Sequence, residues 1–116
     1  MFTHFPIDTH PDHRAVSLLV FDSCQRSKRK FLLYYFEVLT GEQTQNFQPT
    51  DYVDITATEP IKRKACFAHE SQGPVEMYAY HEKMSRFRGM ESRVEHAEAF
   101  VSYFLNRQAG PVLQGL

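Results

Sequence analysis

The sequence has little cysteine, almost no net charge and no long apolar run, and each shortage excludes something. Two cysteines, Cys24 and Cys66, in 116 residues cannot build a disulfide scaffold, and unpaired thiols suit a reducing compartment. Thirteen Lys and Arg stand against fourteen Asp and Glu, a formal charge of −1. A general electrostatic hold on nucleic acid or on an anionic membrane is therefore not expected. The longest apolar stretches, such as residues 31–36, are far too short to cross a bilayer. The opening residues MFTHFP have neither the basic start nor the apolar core of a secretory signal, so the expected location is cytoplasmic. No internal repeat or low-complexity tract is present.

What is present is 42% hydrophobic, 23% charged and 14% aromatic residues, the balance of one ordinary globular domain. It is expected to occupy residues 1–109, with 110–116 as a loose tail. Residues 1–4 resemble the end of a strand. Residues 6–11 form a loop, and Asp12 stands where a helix N-cap is wanted. From residue 13 to about 27, Val16, Leu19, Val20 and Cys24 recur at three and four, which is helical spacing. The basic residues Arg26, Lys28, Arg29 and Lys30 suit a helix C-terminus. The segment KFLLYYFEVL, residues 30–39, reads as a strand buried on both faces. A second short strand is expected at residues 52–55. A helix follows, capped by Thr56 or Thr58 and with Pro60 in its first turn, running to about Gln72 with Ile61, Ala65 and Ala68 on one face. Gly73-Pro74 breaks the chain. The next helix carries Met77, Tyr80, His81, Met84 and Phe87 on one stripe, Met77, Met84, Met90, Tyr78 and Tyr80 are read as core, and Gly89 is expected to end it. Residues 94–105 suit either a helix or a strand. Strands alternating with helices imply an α/β fold with a short parallel sheet flanked by helices.

The densest chemistry is Asp8-Thr9-His10-Pro11-Asp12-His13-Arg14, two imidazoles and two carboxylates within six positions. A loop entering a helix N-terminus can aim such groups into a cleft. Imidazole is the commonest metal-binding side chain, and a neighbouring carboxylate fixes its tautomer. The spacing alone points to a metal or acid–base site, or equally to a polar helix cap with surface histidines.

The segment THFPIDTHPDHRAVSLLVFDSC resembles the H-P-D-H motif of the PIG-L/LmbE-like N-acetylglucosaminyl deacetylases, zinc-dependent hydrolases of N-acetylated sugars. YYFEVLTGEQTQNFQPTDYVDIT, IKRKACFAHESQ and FRGMESRVEHAEAF resemble further blocks of that family, in its order and over nearly the whole chain. The resemblance implies a partial Rossmann-like layer and a zinc ion. It implies His13 as a metal ligand and His10 as the residue that polarises the scissile carbonyl or protonates the leaving amine. Asp12 would orient or tune that histidine. His69, Ser71, Gln72 and Arg88 are candidate site-lining residues. The family's second motif, A-H-P-D-D-E, has no counterpart here, so two metal ligands and the general base are lacking. The chain thus looks like a C-terminal half that is inactive alone. The expected partners are an N-acetylated amino sugar or related small molecule and the missing N-terminal half, with no nucleic acid and no membrane; an oligomer is compatible with the sequence. The rival readings are a non-catalytic sugar- or partner-binding remnant and one half of a split enzyme. An isolated half would leave the strand at residues 31–39 as an exposed aromatic edge.

Overall fold

A computed structural model describes residues 1–28 and 31–103. Arg29, Lys30 and the expected tail at 110–116 lie outside the described residues. The described chain runs β1 (Phe2–His4), α1 (Pro11–Arg26), β2 (Tyr34–Phe36), β3 (Asp51–Asp54), α2 (Glu59–Phe67), a 3-10 turn (Glu70–Gln72), α3 (Pro74–Ser92) and β4 (Ala97–Ser102). The four strands form one sheet in the order β1-β2-β4-β3, in a mixed α/β fold with flanking helices. The chain divides into two compact units. One contains Met1–Asp51 together with the chain from Ala99, and the other contains Tyr52–Glu98.

In the first unit β1 pairs parallel to β2, Phe2 opposite Tyr34 and His4 opposite Phe36. A parallel pair needs a crossover, and α1, packed on β1, supplies it. On its other side β2 pairs antiparallel with β4, Tyr34 opposite Ser102 and Phe36 opposite Phe100. The expected all-parallel sheet is therefore corrected to a mixed one. The pattern AEAFVS carries no information about direction, which the pairing with β2 decides. The ambiguous 94–105 segment contains a strand, with Ala97, Ala99 and Phe100 buried. The expected exposed aromatic edge is also corrected. β2 lies between two neighbours, so Leu33, Tyr34 and Tyr35 are buried, and β1 is the outer strand beside it. Phe2 packs against Tyr34 and Phe100, and Phe5 meets Tyr35 and Phe47 edge-on.

The face of α1 differs from expectation. Ser17 is its buried residue, while Leu18 and Leu19 are 62% and 66% exposed. Cys24 and Cys66 are free and half-buried.

In the second unit α2 packs on α3. Arg63 lays its guanidinium over the rings of Phe67 and Tyr78, at 5.4 and 5.6 Å. Glu98 bonds Lys62 at 2.7 Å. The core expected on α3 holds for Tyr78 and not for Met77, Tyr80 and Met90. Tyr78, Ser85, Arg88 and Gly89 are buried, whereas Met77, Tyr80, Phe87 and Met90 are exposed. Packing rather than polarity chose this face, because the polar members find partners. Ser85 Oγ lies 3.0 Å from His96 Nδ1, and Arg88 bonds Glu91 at 2.7 Å. Gly89 does not end the helix, which continues to Ser92 and stops at Arg93 in the left-handed conformation, φ 65°. Gly89 instead allows a close crossing: a Cβ there would stand 2.5 Å from the carbonyl oxygen of Glu95.

Candidate functional site

α1 starts two residues earlier than expected, and its N-cap is His10 rather than Asp12. Pro11 at the first helical position needs no hydrogen bond for its nitrogen and has its φ preset. The His10 side chain then takes the capping role usually filled by Asp or Ser. Its Nδ1 accepts from the Asp12 N–H at 3.2 Å. A nitrogen that accepts carries no proton, so the neutral ring of His10 holds its proton on Nε2. The Asp12 carboxylate is 4.0 Å from the same Nδ1 and its side chain is 86% exposed.

The carboxylate that organises the cluster is Asp8, which is buried. Its Oδ1 accepts from the His10 N–H at 2.8 Å and lies 3.1 Å from His13 Nδ1. Its Oδ2 accepts from the Thr44 hydroxyl at 2.9 Å. Burial works to raise the Asp8 carboxyl. The hydrogen bonds from His10, Thr44 and His13 outweigh it and hold the group below the ordinary carboxylate value. An ionised carboxylate has only lone pairs to offer, so the proton between Asp8 and His13 belongs to Nδ1 of the ring, and in the neutral ring His13 Nε2 is then a lone pair. Arg14 pins the same loop, donating to the carbonyls of Asp8 and Thr9 at 2.7 and 3.0 Å.

Three imidazoles meet here. His13 stacks on His4 with ring centroids 4.2 Å apart, and on His10 at 4.6 Å. His4, on β1, also lies against Phe36. Its Nδ1 is buried without a hydrogen-bond partner among the described residues. Burial first, then the neighbouring His13 and His10, hold His4 below the ordinary histidine value against the pull of Asp8.

The structure thus brings His10, Asp12 and His13 to one loop–helix junction. It places the other candidates in the second unit. His69, Ser71 and Gln72 are exposed, at or within the 3-10 turn, and Arg88 is buried in α3. Sequence reasoning assigned the orienting role to Asp12 and found neither Thr44 nor the part played by Asp8. Asp8 was visible five residues before His13; Thr44, 36 residues away, gave no local signal.

His13, its Nδ1 bonded to a carboxylate and its Nε2 open, has the form of a metal-ligating histidine. Among the described residues, however, no group of three or more His, Cys, Asp or Glu stands where it could hold a metal ion. The described residues offer one suitable ligand and not a complete site. No helix of the described residues is long and apolar enough to cross a membrane.

No protein-family model matches the chain, and no curated protein does. Among solved structures it is similar to the crystal structure of the conserved protein TT1542 from Thermus thermophilus, with 28% identity and a TM-score of 0.71. The match covers 97% of this chain and 52% of that one, so the chain spans about half the length of its structural neighbour.

Proposed function

We propose that the chain supplies the histidine side of a zinc-dependent deacetylase site for N-acetylated amino sugars, within a partial Rossmann-like layer. One observation carries this reading. Two adjacent, stacked imidazoles each leave Nε2 open in opposite states, a lone pair on the neutral His13 and a proton on His10. A ligand and a proton donor side by side are what amide hydrolysis at a metal requires. The β1-α1-β2 unit, whose β1–α1 loop carries this junction, and the likeness to the Thermus thermophilus structure support the fold part.

In this reading His13 would hold zinc through Nε2, while the other two metal ligands and the general base would come from further polypeptide. Zinc, when bound, polarises the amide carbonyl and activates water. The chain's own contribution would be His10, whose Nε2–H donates a hydrogen bond to the carbonyl oxygen, while the departing amine takes the proton that the general base removes from water. Asp12, 4.0 Å from His10 Nδ1, would keep the orienting role that the resemblance gives it.

The test is zinc-dependent release of acetate from N-acetylglucosamine by the polypeptide encoded when the reading frame is followed upstream of Met1. We expect turnover there, a fall of about 10²–10⁴-fold in kcat for His10→Ala, and loss of stoichiometric zinc for His13→Ala. The 116-residue chain alone is expected to release none. Turnover that is unchanged in both variants, or zinc bound tightly and stoichiometrically by the 116-residue chain, would overturn the reading.

A further inference from the structure

The proposed role of His13 depends on which of its nitrogens carries the proton, and the structure contains a device that decides this from outside the motif. Thr44 is fully buried in the loop that follows β2. Its hydroxyl oxygen accepts from the Val38 N–H at 2.8 Å, in a turn that the Thr44 N–H closes onto the Val38 carbonyl at 3.0 Å. With Val38 on one lone pair, the single hydroxyl proton points to Asp8 Oδ2, 2.9 Å away. The two loops are also joined through their backbones. Asp8 and Thr44 form an isolated antiparallel bridge, with Thr9 N–H donating to Gln43 O at 3.0 Å and Gln45 N–H to Ile7 O at 2.9 Å. The direction of every bond in the chain Val38 N–H, Thr44 O–H, Asp8 carboxylate, His13 Nδ1–H is therefore determined.

We propose that Thr44 is a positioning residue that acts through Asp8, holding the carboxylate so that His13 is kept as the Nδ1–H tautomer with Nε2 open to a Lewis-acidic ligand. The use of that open nitrogen rests on the deacetylase reading; the tautomer does not. Without the hydroxyl, Asp8 Oδ2 loses its donor and the carboxylate can turn about its own bond, moving Oδ1 away from the ring. The free imidazole then partitions between both tautomers.

The experiment is long-range proton–nitrogen NMR of the full chain at neutral pH, which reads the protonated nitrogen of each histidine directly, followed by titration with zinc alone. We expect His13 as the Nδ1–H tautomer in the wild type. Thr44→Val should bring in the Nε2–H tautomer and weaken the zinc-induced shift at His13 by about 10–100-fold in apparent affinity. Thr44→Ser, which restores the hydroxyl, should behave as the wild type. A wild-type His13 protonated on Nε2, or a folded Thr44→Val indistinguishable from wild type in both readouts, would overturn the proposal. The wild-type tautomer needs no substitution, so the proposal remains falsifiable if Thr44→Val does not fold. Neither readout involves deacetylation. Loss of the deacetylase reading would leave the tautomer result standing, and a wrong tautomer would remove this proposal without any assay of acetate.

Discussion

His96 and Ser85 show how a residue pair can resemble chemistry and yet serve the fold. The buried hydroxyl of Ser85 lies 3.0 Å from His96 Nδ1, with Glu95 3.9 Å from the other ring nitrogen, an order reminiscent of a hydrolase triad. The Ser85 hydroxyl, however, donates to the Glu82 carbonyl at 3.0 Å. Its oxygen can then only accept from the ring, and both residues are closed to solvent. The pair satisfies buried polar groups. Ser85→Ala leaves a buried imidazole N–H unpaired and should cost about 1–3 kcal/mol, measured as a lower urea midpoint at unchanged slope. The H-P-D-H histidines differ in this respect, since His10 is exposed and His13 keeps one nitrogen free of the Asp8 bond.

Among the elements, α3 and its exit carry the sharpest constraint. The chain after Arg93 turns back across the helix, and Val94 N–H bonds the Gly89 carbonyl at 2.9 Å. A side chain at position 89 would meet the backbone oxygens of Glu95 and Val94 at 2.5 and 2.7 Å, and neither can move as a flexible side chain could. Gly89→Ala should therefore destabilise by about 1–3 kcal/mol despite alanine's better helix propensity, and thermal unfolding would register it. A variant at least as stable as the wild type would show that this crossing is looser than described. α1 has the opposite character. Its capping residue is a histidine, a type outside the usual N-cap set, which is understandable if the imidazole is there for chemistry rather than for the helix.

For the whole molecule, acid is the weak side. His4 and His81 both sit below their ordinary value of 6.5, His81 through burial first and then Lys62. Their neutral forms are favoured by folding, so below pH 6.5 the unfolded chain takes up protons that the folded chain resists. Asp8 and Asp54 lie below their ordinary 3.8, which removes further stability as pH falls through that range. Tyr35 is raised above 10.0 by burial, so its contribution is present below that pH and fades above it. The expected optimum is therefore between about pH 6.5 and 10, with the first losses on acidification below 6.5. Urea unfolding across pH 4–8 checks this, and greater stability at pH 5 than at pH 8 would contradict it.

Much of the local organisation could be read directly from the residues. The spacing of Val16, Leu19, Val20 and Cys24 located α1, and the aromatic run from Phe31 located β2. Gly73-Pro74 marked the start of α3, and H-P-D-H fell at a loop–helix junction as expected. These signals are short-range: a turn, a cap or a periodicity involves residues within one or two turns of each other. Tertiary structure alone decided that β4 runs against β2 and that α3 buries Ser85 and Arg88 rather than its methionines. It also decided that Gly89 is a crossing point and that Asp8 rather than Asp12 holds His13. Each of these depends on a partner brought from elsewhere in the chain, and for Asp8 that partner is a threonine 36 residues away whose one proton has a single direction left to point.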